Sequence, residues 1–177
     1  MYDPRVSHPI VLPDPPLSDG RVTLRGWRLS DVPQIVAMCS EPDVIRFTSV
    51  PVPYDADDAR LWLDLHPARL AAGDGAAFAI TEGGDELPVG SIGVRVMHDQ
   101  GIAETGYHVV EARRGRGLAT AALRLIARWT FAELPVARLS SRPTSTTPAP
   151  SASPRRPASR ARASCGRGPT SAASAPT

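Results

Sequence analysis

Glu111-Ala112-Arg113-Arg114-Gly115-Arg116-Gly117-Leu118-Ala119-Thr120 is the stretch on which the reading of this chain turns. Upstream of it, Thr105 to Val110 alternates like a strand, and downstream Leu118, Ala122, Leu125, Ile126 and Trp129 recur at helical spacing. The pattern is a strand, a short Gly/Arg turn and a helix start. Such a start is an anion site. Glycines let the backbone turn tightly and approach a ligand, and the first N–H groups of a helix have no intrahelical partner, so they can bind phosphate oxygens. Arg114 and Arg116 add positive charge. Two familiar phosphate loops are excluded: Gly115-Arg116-Gly117 lacks a third glycine at the dinucleotide-fold spacing, and no Gly-Lys-Ser/Thr is present. An ordinary glycine turn with exposed arginines is the plain alternative, and the strand before and helix after it weigh against that.

Working outward, the 177 residues are 42% hydrophobic, enough for one domain with a true core. No run approaches the roughly 18 apolar residues of a membrane span, and no basic N-terminal region precedes an apolar one, which together predict a soluble cytoplasmic protein. Cys39 and Cys165 are too few for a disulfide framework or a metal site, and Cys39 falls in a helical pattern as a small core residue. The charge is divided. All 18 acids precede Ser140, where they outnumber fourteen arginines, whereas residues 140–177 hold six arginines and no acid.

The first 19 residues are Pro-rich and irregular. Arg21 to Trp27 alternates in strand fashion, and Ser30-Asp31 offers a helix cap before Val32 to Met38. Glu41-Pro42-Asp43 stops that helix, and Asp43 to Pro53 is a short helical or irregular link. Asp55, with Asp58 three residues on, caps a further helix with Ala59, Trp62, Leu65 and Leu70 as its buried stripe and a kink at Pro67. Ala76 to Glu82, Pro88 to Met97 and Ile102 to Val110 then form an antiparallel meander, and after the crossover helix Pro135 to Leu139 begins another strand. The order β-α-α-β-β-β-α-β predicts an α+β fold with a mixed, mainly antiparallel sheet flanked by helices.

Arg114-Gly115-Arg116-Gly117-Leu118-Ala119 resembles the Arg/Gln-x-x-Gly-x-Gly/Ala pyrophosphate loop of the GCN5-related N-acetyltransferases (GNAT). The ordered series of Arg21 to Arg25 with Ser30-Asp31, Pro51 to Tyr54 before a helix, Val89-Gly90-Ser91-Ile92-Gly93, and Glu104-Thr105-Gly106-Tyr107 with the loop is similar to the RimJ/RimL-type branch. The likeness covers residues 20–139, an acetyltransferase domain. It implies acetyl transfer from acetyl-CoA to a primary amine, of a protein N-terminus or a small molecule, with no metal. The acetyl-CoA would be held by Val109, Val110, Arg114, Gly115, Arg116, Gly117, Leu118, Ala119 and Thr120. A strand splayed from its neighbour at Tyr107 to Val110 would admit the pantetheine arm, and a backbone N–H near Val109 would stabilise the oxyanion.

An alkylammonium has no lone pair until a proton leaves, so a base is needed, directly or through water. Glu104 is the first candidate. It shares a strand face with Ile102, Gly106 and His108, and the resemblance implies an acid in this strand as the base; an exposed carboxylate in a surface pair is the alternative. His108 is a second candidate, with a structural histidine as its alternative. Asp55, Asp57 and Asp58, near Phe47, Tyr54 and Trp62, either attract a cationic amine or serve as helix N-terminal charge. Trp129, Leu125 and Ile126 are read as core.

Residues 140–177 contain nine Ser, eight Ala, seven Pro, six Arg and five Thr, and cannot bury enough apolar area to offset chain entropy, which predicts disorder. The resemblance would place closing strands there, and a helix whose hydroxyl protonates the leaving thiolate. A chain lacking them is alternatively a catalytically impaired acyl-CoA-binding protein. A nucleic-acid arm is disfavoured, because six arginines over 38 residues are a thin charge density. The codons offer another origin: a frameshift after about Leu139. Ser153 to Ser159 can be written TCG-CCG-AGA-AGG-CCG-GCT-TCG, which from the third base reads Ala-Glu-Lys-Ala-Gly-Phe. At the same offset Thr144 to Pro148 can give Val-Asp-Asn-Ala. The first phrase resembles the end of the family's helix after the fifth strand and the second the acid-Asn turn that precedes that helix, at the expected spacing; a real low-complexity tail is the alternative.

Overall fold

The computed structural model describes residues 8–141, which lie within one compact unit. β1 (Leu17–Ser18) and β2 (Val22–Arg25) come first, followed by α1 (Val32–Cys39), α2 (Pro42–Phe47), α3 (Ala56–Asp64) and α4 (His66–Ala71). β3 (Gly75–Glu82), β4 (Gly90–Met97) and β5 (Ile102–Val109) form the meander, and α5 (Leu118–Glu133) leads into β6 (Arg138–Ser141). The six strands lie in one sheet in chain order, antiparallel except for β5 with β6. The α+β fold with a mixed, mainly antiparallel sheet is as the pattern predicts.

Alternation along the strands sends two sets of side chains to opposite faces. On one face Leu24, Phe78, Ile80 and Ile92 are fully buried against Leu118, Ile126 and Trp129 of α5, each worth roughly 1.5–3 kcal/mol of transfer free energy. Phe78 and Trp129 meet edge to face with centroids 5.2 Å apart. Leu125, Ile126 and Trp129 are therefore core, as their spacing indicates. A second cluster joins Val32 and Ile35 of α1 to Ala59 of α3, with Trp27, Trp62, Tyr54 and Cys39 packed around it. Burial pushes the Cys39 thiol up, consistent with an inert small residue.

Several local expectations change. The segment before residue 20 contains β1, which pairs with Thr23 and Leu24. Asp31 does not cap α1: a 3₁₀ turn, Leu29–Asp31, intervenes, and the carboxylate accepts the Arg28 N–H at 2.8 Å and pairs with Arg25. The buried Arg25 guanidinium is the stronger claimant. Pro67 does more than kink its helix. Two helices form, with Pro67 in the first turn of α4, where its missing N–H costs nothing, and Leu65 at the joint is exposed rather than part of a buried stripe. Asp55 does cap α3, accepting the N–H groups of Asp57 and Asp58, with Asp58 returning the bond in a capping box.

β6 runs two residues past Leu139, because backbone pairing of Ser140 and Ser141 with Glu104 and Thr105 asks nothing of their side chains. The remainder of the tail from residue 142, with the predicted disorder, the closing elements and the frameshift phrases, lies outside the described residues.

Candidate active site

β5 delivers the chain to the site. Its last residues, Tyr107, His108 and Val109, floor a groove of about 500 Å³. One wall is Asp43, Val44, Phe47 and Thr48 of α2 and its C-terminus, and the other runs from Arg113 to Thr120. Val110 donates its N–H to the Val89 carbonyl at 3.0 Å. Because successive N–H groups on a strand point to opposite sides, the N–H of Val109 is turned away from β4. Two strand glycines let β4 pack this closely: a Cβ on Gly90 would overlap the carbonyl oxygen of His108, and one on Gly93 would come within 2.9 Å of Ala76 O.

The loop after β5 turns on Gly115 and Gly117, with φ of 74° and 75°. This left-handed conformation costs other residues roughly 1–2 kcal/mol. Gly117 is the N-cap of α5 and supplies no side-chain cap, so the helix's first N–H groups open toward the groove. Their partial positive charge suits an anion.

The loop arginines are engaged with protein carboxylates. Arg113 and Arg116 share Glu82, at 3.1 and 3.0 Å, and Arg21 donates to the Arg116 carbonyl. Arg114 donates through Nε to Val109 O at 2.9 Å, through Nη1 to Asp43 at 2.6 Å and through Nη2 to Glu41 at 3.1 Å. Glu41 thus reaches the end of β5, where its carboxylate also accepts the Glu111 N–H at 3.3 Å and lies 3.1 Å from His108 Nε2. Burial lowers the His108 pKa, Glu41 pulling the other way.

Of the residues singled out in the sequence, Val109, Arg114, Gly115, Gly117, Leu118, Ala119 and Thr120 line the groove together with His108. Val110 and Arg116 are not among the residues that line it. Glu104 lies on the same face as His108 but four residues earlier on β5, opposite Arg95, whose guanidinium bonds it at 2.7 Å. Asp55 and Asp58 are spent on the α3 cap, and Asp57 pairs with Arg60. Glu41 and Asp43 are the additions. In the sequence they flank Pro42 and signal only a helix boundary; nothing local points to a partner some seventy residues away. Among the described residues no cluster of His, Cys, Asp and Glu is arranged to hold a metal ion, and no helix is long and apolar enough to cross a membrane.

A mixed sheet carries a crossover helix whose glycine-led N-terminus borders a groove at the end of the preceding strand, a geometry suited to an anionic group. Residues 21–149 match the family model of the acetyltransferase (GNAT) domain. The chain belongs to this family and is an acyltransferase. Its fold is similar to that of Mycobacterium smegmatis RimJ in complex with CoA-disulfide, at 22% identity and a TM-score of 0.60 over 74% of this chain and 68% of that one. An acetyltransferase from Agrobacterium tumefaciens is 26% identical with a TM-score of 0.53, covering 72% and 71% of the two chains. The microcin C7 self-immunity acetyltransferase MccE, in complex with acetyl-CoA and AMP, gives 14% identity and a TM-score of 0.57 over 69% and 68%. No curated protein sequence matches the chain significantly.

Proposed function

We propose that this protein transfers the acetyl group of acetyl-CoA directly to a primary amine, of a protein N-terminus or a small molecule. The observation that carries the proposal is the uncapped start of α5 behind two left-handed glycines, opening on the groove at the end of β5. The pyrophosphate of the donor suits the N–H groups from Gly115 to Thr120. Because the arginine side chains are paired with acids, the backbone and helix dipole supply most of the attraction. The acyl group then comes to Val109, whose N–H is aimed to take the oxyanion. Glu104, its carboxylate held by Arg95, is assigned as the acceptor of the amine's proton, reached through water.

Calorimetric titration tests the loop. CoA should bind and pantetheine, which lacks the pyrophosphate, should bind far more weakly, with the CoA signal reduced in Gly117→Trp. A Cβ at Gly117 meets only the Arg21 guanidinium, at 3.6 Å, but its φ of 75° strains any side chain there by roughly 1–2 kcal/mol, so the fold of the variant is checked by circular dichroism. Equal CoA binding by wild type and variant refutes the assignment. Release of free thiol from acetyl-CoA across a panel of amines separates transfer from acyl-CoA binding alone.

A further inference from the structure

Arg21, just before β2, meets the glycine loop from the side away from the groove. Its backbone is held at both ends: its N–H and that of Val22 donate to the Asp19 carboxylate, each at 2.9 Å, and its carbonyl accepts the Gly83 N–H at 2.9 Å. From this fixed base the side chain donates through Nη2 to the Arg116 carbonyl, and its guanidinium lies 3.6 Å from where a Cβ on Gly117 would stand. Glu82, the cross-strand partner of Val22, takes Arg113 and Arg116. The ends of β2 and β3 therefore carry the loop.

The bond to Arg116 decides which way a peptide faces. A trans peptide points its C=O and N–H in opposite directions, so a carbonyl fixed toward Arg21 sends the Gly117 N–H to the other side. That side is the groove, which Gly117 lines and Arg116 and Arg21 do not. Glycine restrains its own backbone least, and no side-chain cap is present, so the plane needs an outside hold. Charge is the second contribution. Arg113, Arg114 and Arg116 are each bonded to a carboxylate, whereas among the described residues no carboxylate lies within ion-pair distance of Arg21, which is exposed. A full positive charge thus stands beside the N-terminus of α5 and adds to the partial charge of the helix.

Resting on the acetyl-transfer reading, we propose that Arg21 is a positioning residue for the pyrophosphate of the donor. It holds the Arg116–Gly117 peptide with its N–H toward the phosphate oxygens, and it supplies a positive charge that no described carboxylate neutralises. Through both, it selects a thioester that carries a pyrophosphate over one that ends at pantetheine.

The test uses the full chain and its Arg21→Gln and Arg21→Lys variants, with CoA and pantetheine affinity by calorimetry at low and high salt, folding by thermal melting, and KM for acetyl-CoA against kcat for a primary amine. Arg21→Gln should lose about tenfold in CoA affinity and leave pantetheine affinity unchanged, with KM for acetyl-CoA raised and kcat kept. Its CoA affinity should also fall less between about 0.05 and 0.5 M salt than that of the wild type, because the screened charge is gone. Arg21→Lys keeps that charge, so it should lose less and retain the wild-type salt dependence. A purely structural role would weaken CoA and pantetheine alike. CoA affinity of Arg21→Gln within twofold of wild type, or an equal loss for pantetheine, overturns the role of Arg21 and leaves the acetyl-transfer reading standing. If Arg21→Gln does not fold, wild-type CoA affinity that is unchanged by salt overturns it instead. No CoA binding by the wild type overturns both.

Discussion

Replacing Asp31 with alanine probes the tie between β2 and the start of α1. Arg25, at the end of β2, is 5% exposed and Asp31, just before α1, is 4% exposed. Their two parallel bonds measure 2.8 and 2.9 Å, and Arg25 also donates to the carbonyls of Gly26 at 3.0 Å and Glu86 at 2.6 Å. Removing one member of a buried pair costs about 3–5 kcal/mol, because the other charge stays in the interior unpaired. Two carbonyl acceptors remain for the guanidinium, which places the loss at the lower end. The Arg28 N–H, freed from Asp31, reaches water and adds less than about 1 kcal/mol. The expected total is about 3–4 kcal/mol, a large share of the roughly 5–15 kcal/mol that holds a domain together, and a fall in Tm on the order of 10 °C. Urea denaturation followed by circular dichroism measures it. The double variant Arg25→Met with Asp31→Leu removes both charges and should recover most of the loss. A cost below about 1 kcal/mol for Asp31→Ala, or a double variant as unstable as the sum of the singles, refutes the reasoning.

Gly90→Ala places a methyl against the His108 carbonyl and 3.2 Å from Val109 Cα, so it should cost about 1–3 kcal/mol in denaturation and weaken CoA binding by shifting the strand end; a change under about 0.5 kcal/mol contradicts the packing. Burial holds His66 below 6.5, only partly offset by its bond to the Trp62 carbonyl at 2.9 Å. The unfolded chain therefore protonates first as pH falls, and stability present above pH 6.5 is lost below it. His66→Leu should show a smaller drop in urea midpoint between pH 7.5 and pH 5, and an equal drop contradicts the assignment. Inserting one base near codon 139 should yield a more soluble, more active enzyme if the tail is frameshifted; codons that cannot encode the two phrases end that idea.

Local chemistry made much of this protein legible in its sequence. Alternation placed β2 to β5, helical spacing placed α5 and its core residues, and Gly115 with Gly117 marked the turn, because these features depend on near neighbours and on the period of the backbone. The capping box at Asp55 and Asp58 was readable for the same reason. Where an aspartate had two possible partners, near and far, the sequence could not choose. Asp31 sits where a helix cap belongs, yet a buried arginine claims it, and only packing of β2 against the α1 entry decides that competition. The arginines of the loop show the same limit from the other side. Read alone they are charges waiting for phosphate, but folding brings Glu82 from β3, and Glu41 and Asp43 from the α1–α2 junction, to neutralise them. It also sets Glu41 beside His108 and leaves Glu104 four residues up the strand with Arg95. Ion pairs depend on distance in space and not on separation along the chain, so the tertiary structure alone decided which side chains of β5 face the groove and which charges surround them.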